Sequence, residues 1–130
     1  MDYLFVYGTL MKTVNNGMSR FLHNNAEFIG NAYVLGKLYD LEGYPGVVVS
    51  HNPSERVYGN IFKIKDTQVV FKVLDDYEGI GDDHPNNCEF VRDQVLAYLE
   101  DGTEINTWFY AYNLPTDTLK LIPSGRYLDN

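Results

Sequence analysis

At 130 residues, 45% of them hydrophobic, the chain is long enough to bury a core without disulfides or structural metals, and it reads as one domain over residues 1–130. Ten Lys and Arg against 18 Asp and Glu leave a formal charge of −8, and the ten form no run, which argues against a nucleic-acid partner held through phosphates. Cys88 is the one cysteine, so an internal disulfide and a thiolate cluster are both excluded and a reducing compartment is expected.

No apolar run approaches the roughly 20 residues of a membrane span, and the first residues lack a basic stretch before an apolar core. The expectation is a soluble cytoplasmic protein with no membrane partner.

Residues 2–10 read DYLFVYGTL. Tyr3, Leu4, Phe5, Val6 and Tyr7 are apolar or aromatic on both faces of an extended chain, the pattern of a buried central strand. Gly8 ends it. A glycine there permits backbone angles closed to other residues, and Thr9 and Leu10 can then turn successive N–H groups into one concavity that holds an anion or an oxyanion. An ordinary turn after a first strand fits the same letters.

Residues 11–25 place Met18, Phe21 and Leu22 at helical spacing, with Asn15, Asn16 or Ser19 as candidate caps. Residues 28–41 are rich in β-formers, with Gly30 and Gly36 marking bends or bulges in a curving strand. EGYPG at 42–46 is a loop leading to a strand at Val47, Val48 and Val49, and HNPS at 51–54 is a second turn. Residues 57–64 form the next strand, with Tyr58, Asn60, Phe62 and Ile64 on one face.

Asp66 or Thr67 caps a helix in which Val70, Val73, Leu74 and Tyr77 share a stripe, leaving Asp75 and Asp76 on the wet face. Gly79 suits the left-handed residue after a helix, and Gly81 to Cys88 belong to a polar surface loop. Residues 90–99 put Val91, Val95, Ala97 and Leu99 on one face of a strand and Arg92, Gln94 and Tyr98 on the other. Asp101-Gly102 is a hairpin signal, and an aromatic strand returns over 105–112. The tail from Leu114 packs in extended form on the surface. Many strands, short turns and about two helices predict a curved sheet or small barrel with helices packed against it.

Among the candidates for chemistry, Glu78 stands one turn beyond Leu74 and borders the apolar stripe. Desolvation there would raise its affinity for a proton and suit it to general acid/base work; alternatively it ends the helix and reaches solvent. His23, His51 and His84 share no ligand spacing, so neither a metal nor a cofactor is expected. Cys88 lacks the surroundings of an activated thiolate, and no serine sits in a nucleophile elbow. Arg92 is either solvated, ion-paired or orienting a substrate. Tyr110 packs in the core or offers a hydroxyl at the mouth of a cleft.

In order, FVYGTL at 5–10, LYDLEGYPGVV at 38–48, VYGNIFKI at 57–64, LDDYEG at 74–79, FVRDQV at 90–95 and WFYAYN at 108–113 resemble the gamma-glutamylcyclotransferase-like family, in particular its AIG2-like and gamma-glutamylamine cyclotransferase branch. Phe90 stands where family members often carry tyrosine. The resemblance implies an α+β fold, a small mixed β-barrel flanked by helices. It further implies that Tyr7, Gly8, Thr9 and Leu10 bind substrate, that Tyr44 and Pro45 edge the cavity, that Tyr110 contributes a hydroxyl, and that Glu78 is the catalytic acid/base. The implied reaction is metal-independent: the α-amine of a γ-glutamyl group attacks its own γ-carbonyl, and 5-oxoproline and a free amine result. The competing expectation is a module that binds a γ-glutamyl-like small molecule without turning it over; a third is a tyrosine-rich surface for protein interaction.

Overall fold

A computed structural model describes residues 2–8, 17–41, 44–77 and 90–127, with backbone alone for Met18, Asp76 and Tyr77. The elements run β1 (Asp2–Val6), α1 (Gly17–Asn25), β2 (Ala26–Asp40), β3 (Pro45–Val49), β4 (Arg56–Ile64), α2 (Thr67–Tyr77), β5 (Phe90–Leu99), β6 (Glu104–Tyr112) and β7 (Lys120–Leu121). The strand order is β3-β2-β4-β1-β6-β5, and β5 pairs back onto β2. Strands β2, β4, β1, β6 and β5 therefore close into a five-stranded barrel. It is mixed, because β1 runs parallel to β6 while the other pairings around it are antiparallel.

Closure depends on β2. The register against β4 slips between Phe28 and Gly30, and that bulge adds bend and twist to the strand. Gly30 lies close under Leu99 of β5, where a Cβ would meet Leu99 Cδ2 at 3.1 Å. Residues 32–34 then pair with β4 on one side and with residues 97–99 of β5 on the other. Past residue 35 the same strand carries β3 and β7.

Two apolar layers result, and β1 belongs to both. Phe5 points into the barrel with Val34, Val57, Ile61, Ala97 and Phe109, whereas Leu4 and Val6 face outward with Phe62 and Ile64. The outer layer is covered by Leu22 of α1 and by Val70, Phe71 and Leu74 of α2. A strand buried on both faces has no reason to alternate, which accounts for the continuous apolar run at residues 3–7.

The helices start close to where the sequence places them. The Asp66 carboxylate accepts a hydrogen bond from the Val69 amide at 3.3 Å, as an N-cap should. Ser19 is buried inside α1 and so does not cap it, while Asn15 and Asn16 lie outside the described residues. In α2 the fully buried positions are Val70 and Leu74, joined by Phe71; Val73, expected in the stripe, is only partly covered. Gly102 turns the β5–β6 hairpin with φ of +89°. The expected loop from Gly81 to Cys88, and Gly79, fall outside the described residues. No helix among the described residues is long and apolar enough to cross a membrane.

Candidate functional site

The carboxyl ends of β1 and β6, the amino end of β5 and the first residue of β3 meet at one end of the barrel. Leu4 of β1 is level with Trp108 of β6, so Tyr7 emerges beside the last residues of β6, and Phe90 pairs there with Tyr112. Tyr7 is buried, and its hydroxyl donates to the backbone carbonyl of Tyr110. Next to it, a Cβ on Gly8 would meet Pro45 Cγ at 2.6 Å.

That contact changes the reason for the glycine. The positive-φ glycines among the described residues are Gly102 and Gly125, so Gly8 is not there for left-handed backbone. It is there because Pro45 occupies the space a side chain would need. Tyr44, 40% exposed, tilts over Phe90 with ring centroids 6.3 Å apart, and Phe90 meets Tyr112 edge-on at 5.8 Å. Tyr112 in turn closes over Gly46, whose added Cβ would lie 3.2 Å from its ring. Tyr7, Gly8, Tyr44, Pro45 and Tyr110 are thus gathered at one end of the barrel. Thr9, Leu10 and Glu78 lie outside the described residues.

The sequence reading missed Asp75. Expected on the wet face of α2, it turns instead toward the sheet: its Oδ1 accepts the Tyr110 hydroxyl at 2.7 Å and its Oδ2 accepts Arg92 Nη1 at 2.8 Å. The reason is its spacing from Phe71 and Leu74, four and one positions before it, which places it at the border of the stripe actually buried. Arg92 is ion-paired, and its guanidinium lies 4.2 Å from the centroid of the Phe71 ring and 5.4 Å from that of Trp108. Its Nε is buried without a partner among the described residues. Tyr110 is 4% exposed, with its hydroxyl engaged by Asp75.

The other end of α2 has a second carboxylate. Asp2 accepts the Thr67 hydroxyl at 2.8 Å and Trp108 Nε1 at 3.1 Å. These bonds, Thr67 first, hold the Asp2 carboxyl below its ordinary range against the opposing effect of burial, with help from the charge of Arg92. No three His, Cys, Asp or Glu side chains converge as a metal site among the described residues.

The family model described as gamma-glutamyl cyclotransferase, AIG2-like, matches residues 4–129. The chain belongs to this family. A Methanocaldococcus jannaschii protein provisionally named a gamma-glutamylcyclotransferase is 30% identical over 129 residues, covering 99% of this chain and 98% of that one. The Escherichia coli gamma-glutamylcyclotransferase family protein YtfP is 29% identical over 133 residues, covering 97% and 96%. Its solution structure superposes with a TM-score of 0.56 over 98% of this chain and 96% of that chain. The crystal structure of a mouse AIG2-like protein superposes with a TM-score of 0.69 at 21% identity, over 98% of this chain and 88% of that one, which establishes the shared barrel.

Proposed function

We propose that this AIG2-like chain is a gamma-glutamyl cyclotransferase acting on a γ-glutamyl amine or γ-glutamyl amino acid. The observation that carries the reading is the convergence of Tyr7 and Gly8 on Pro45 and Tyr110 at the barrel end, within a chain that matches the family model described as gamma-glutamyl cyclotransferase, AIG2-like. Its partner on this reading is a small γ-glutamyl molecule, neither a nucleic acid nor a membrane, and the lone cysteine fits a reducing, cytoplasmic setting.

The chemistry balances with one proton shuttle. Glu78, as carboxylate, takes a proton from the substrate α-ammonium. The freed amine attacks the γ-carbonyl carbon, a new C–N bond closes a five-membered ring, and the carbonyl electrons move onto oxygen. Backbone N–H groups of residues 8–10 stabilise that oxyanion or the α-carboxylate. Collapse restores the carbonyl and breaks the original amide C–N bond as Glu78 returns its proton to the departing nitrogen; the ring nitrogen then gives its second proton, through the same carboxylate, to the released amine, which leaves as an ammonium. Holding amine and carbonyl together lowers the barrier further, by up to roughly 7–11 kcal/mol in favourable cases.

The test is 5-oxoproline release from a panel of γ-glutamyl amino acids, γ-glutamyl amines and γ-glutamyl-ε-lysine, with parent and Glu78→Gln side by side. The parent is expected to release 5-oxoproline from at least one, and Glu78→Gln to lose roughly 10²–10⁴-fold in turnover. Equal turnover by the variant removes Glu78 from the shuttle role; a folded parent silent across the panel removes the cyclotransferase reading. Because the steps are proton transfer and exchange of one C–N bond for another, turnover is expected to survive a chelator. Loss in EDTA restored by a divalent cation would overturn metal independence.

A further inference from the structure

We infer that Asp75 is a positioning residue for the proposed reaction: through Tyr110 and Arg92 it fixes the last turn of α2, which leads into Glu78, against the strand that holds Tyr7. The inference rests on the cyclotransferase reading and adds Asp75 and Arg92, side chains that the reading does not use.

Three observations carry it. First, Tyr110 is engaged from both sides, its hydroxyl by Asp75 of α2 and its backbone carbonyl by the Tyr7 hydroxyl. One residue of β6 therefore connects the end of α2 to the end of β1, the two chain ends that lead to Glu78 and to Thr9 and Leu10. Second, both Asp75 oxygens are used, one by a neutral hydroxyl and one by a guanidinium. Two bonds from two strands to one carboxylate fix its direction in a way one bond would not, and those to charged groups are the stronger kind. Third, the arrangement is retained at a local cost. Arg92 Nε is sealed off without a partner among the described residues, and leaving a buried donor unsatisfied is destabilising. Here the guanidinium is aligned by Phe71 and Trp108, which aims Nη1 at Asp75.

Asp75 touches no reacting atom on this account. It acts by holding the helix end to which Glu78 is attached, and an error of about 1 Å in such a group lowers turnover by up to about 100-fold.

The experiment uses Tyr110→Phe, which removes one hydroxyl and keeps the ring, and Asp75→Asn, which keeps the shape and removes the charge. Each is made in the parent and in the Glu78→Gln background. Hydrogen exchange of the α2 amides at residues 74–77 is measured with kcat and KM on whichever panel substrate the parent turns over. The expected result is at least tenfold faster exchange in that turn and a kcat lowered about 10- to 100-fold with KM within about threefold. In the Glu78→Gln background the same substitutions are expected to cause little further loss, since the group they position is already disabled. A general structural role would instead cost the same factor in both backgrounds and would overturn the inference. Unchanged kcat in folded variants, with or without faster exchange, overturns it too while leaving the cyclotransferase reading intact. A parent inactive on every substrate removes both.

Discussion

At Gly8 the missing side chain matters more than the backbone freedom. Pro45 Cγ occupies the place where a Cβ would stand, at 2.6 Å, and Tyr7 beside it is fixed to Tyr110, so neither neighbour can move independently of the barrel end. Gly8→Ala is expected to cost about 1–3 kcal/mol of stability, the range for overpacking a tight contact, and to lower turnover by displacing the loop around Pro45. The remedy is specific: Pro45→Ala removes Cγ, so the double variant should recover most of the loss in urea unfolding. Equal instability of Gly8→Ala with or without Pro45→Ala would show that the contact is not the cause. The sequence marked Gly8 as a required glycine but for backbone freedom, which the structure does not bear out; the requirement is the space that Pro45 fills. That contact was not legible, because nothing local to Gly8 reports that residue 45 lies against it.

Helix α2 is fastened at both ends, by Thr67 to Asp2 at the start and by Asp75 to Tyr110 and Arg92 at the finish. The first fastening is pH-dependent. Asp2 is held below its ordinary value of 3.8, so the folded chain binds its proton less readily than the unfolded chain does. Its contribution is therefore complete above that value, falls as pH drops below it, and is gone once the folded-state carboxyl is protonated. Asp2→Asn should be less stable than the parent at pH 7, and the gap should narrow as urea unfolding is repeated at pH values descending below 3.8. A gap that stays constant or widens would mean that the Asp2 charge does not tie the helix. The helix itself could be read from periodicity and its Asp66 cap. What periodicity could not decide was the side of the stripe. A border residue such as Asp75 goes inward or outward according to what the sheet offers, and its partners stand 17 and 35 positions away in the sequence.

Across the whole molecule, β2 organises the barrel and the C-terminal segment locks it. Gly30 and Gly36 did announce a curved strand, and the run at residues 3–7 did announce burial on both faces; the closing pair β2–β5 was hidden because it joins segments separated by more than 60 positions. The segment after β6 crosses back over β2, where Ile122 is buried and donates its amide to Leu38 O at 2.7 Å. It then reaches β4, where the Tyr58 amide donates to Gly125 O at 2.8 Å and the Arg126 guanidinium covers the Tyr58 ring at 3.9 Å. Gly125 has φ of +70°, and a Cβ there would run into the Arg56 carbonyl oxygen. Gly102 has φ of +89° but faces open space. The two glycines separate backbone strain from crowding. Gly102→Ala carries the backbone cost alone, about 1–2 kcal/mol, whereas Gly125→Ala adds crowding against β4 and is expected to cost about 2–5 kcal/mol. Only the second should also expose the tail, seen as faster limited proteolysis after β6. If the two variants unfold at the same urea concentration and the tail stays protected, the C-terminal segment does not hold the barrel closed.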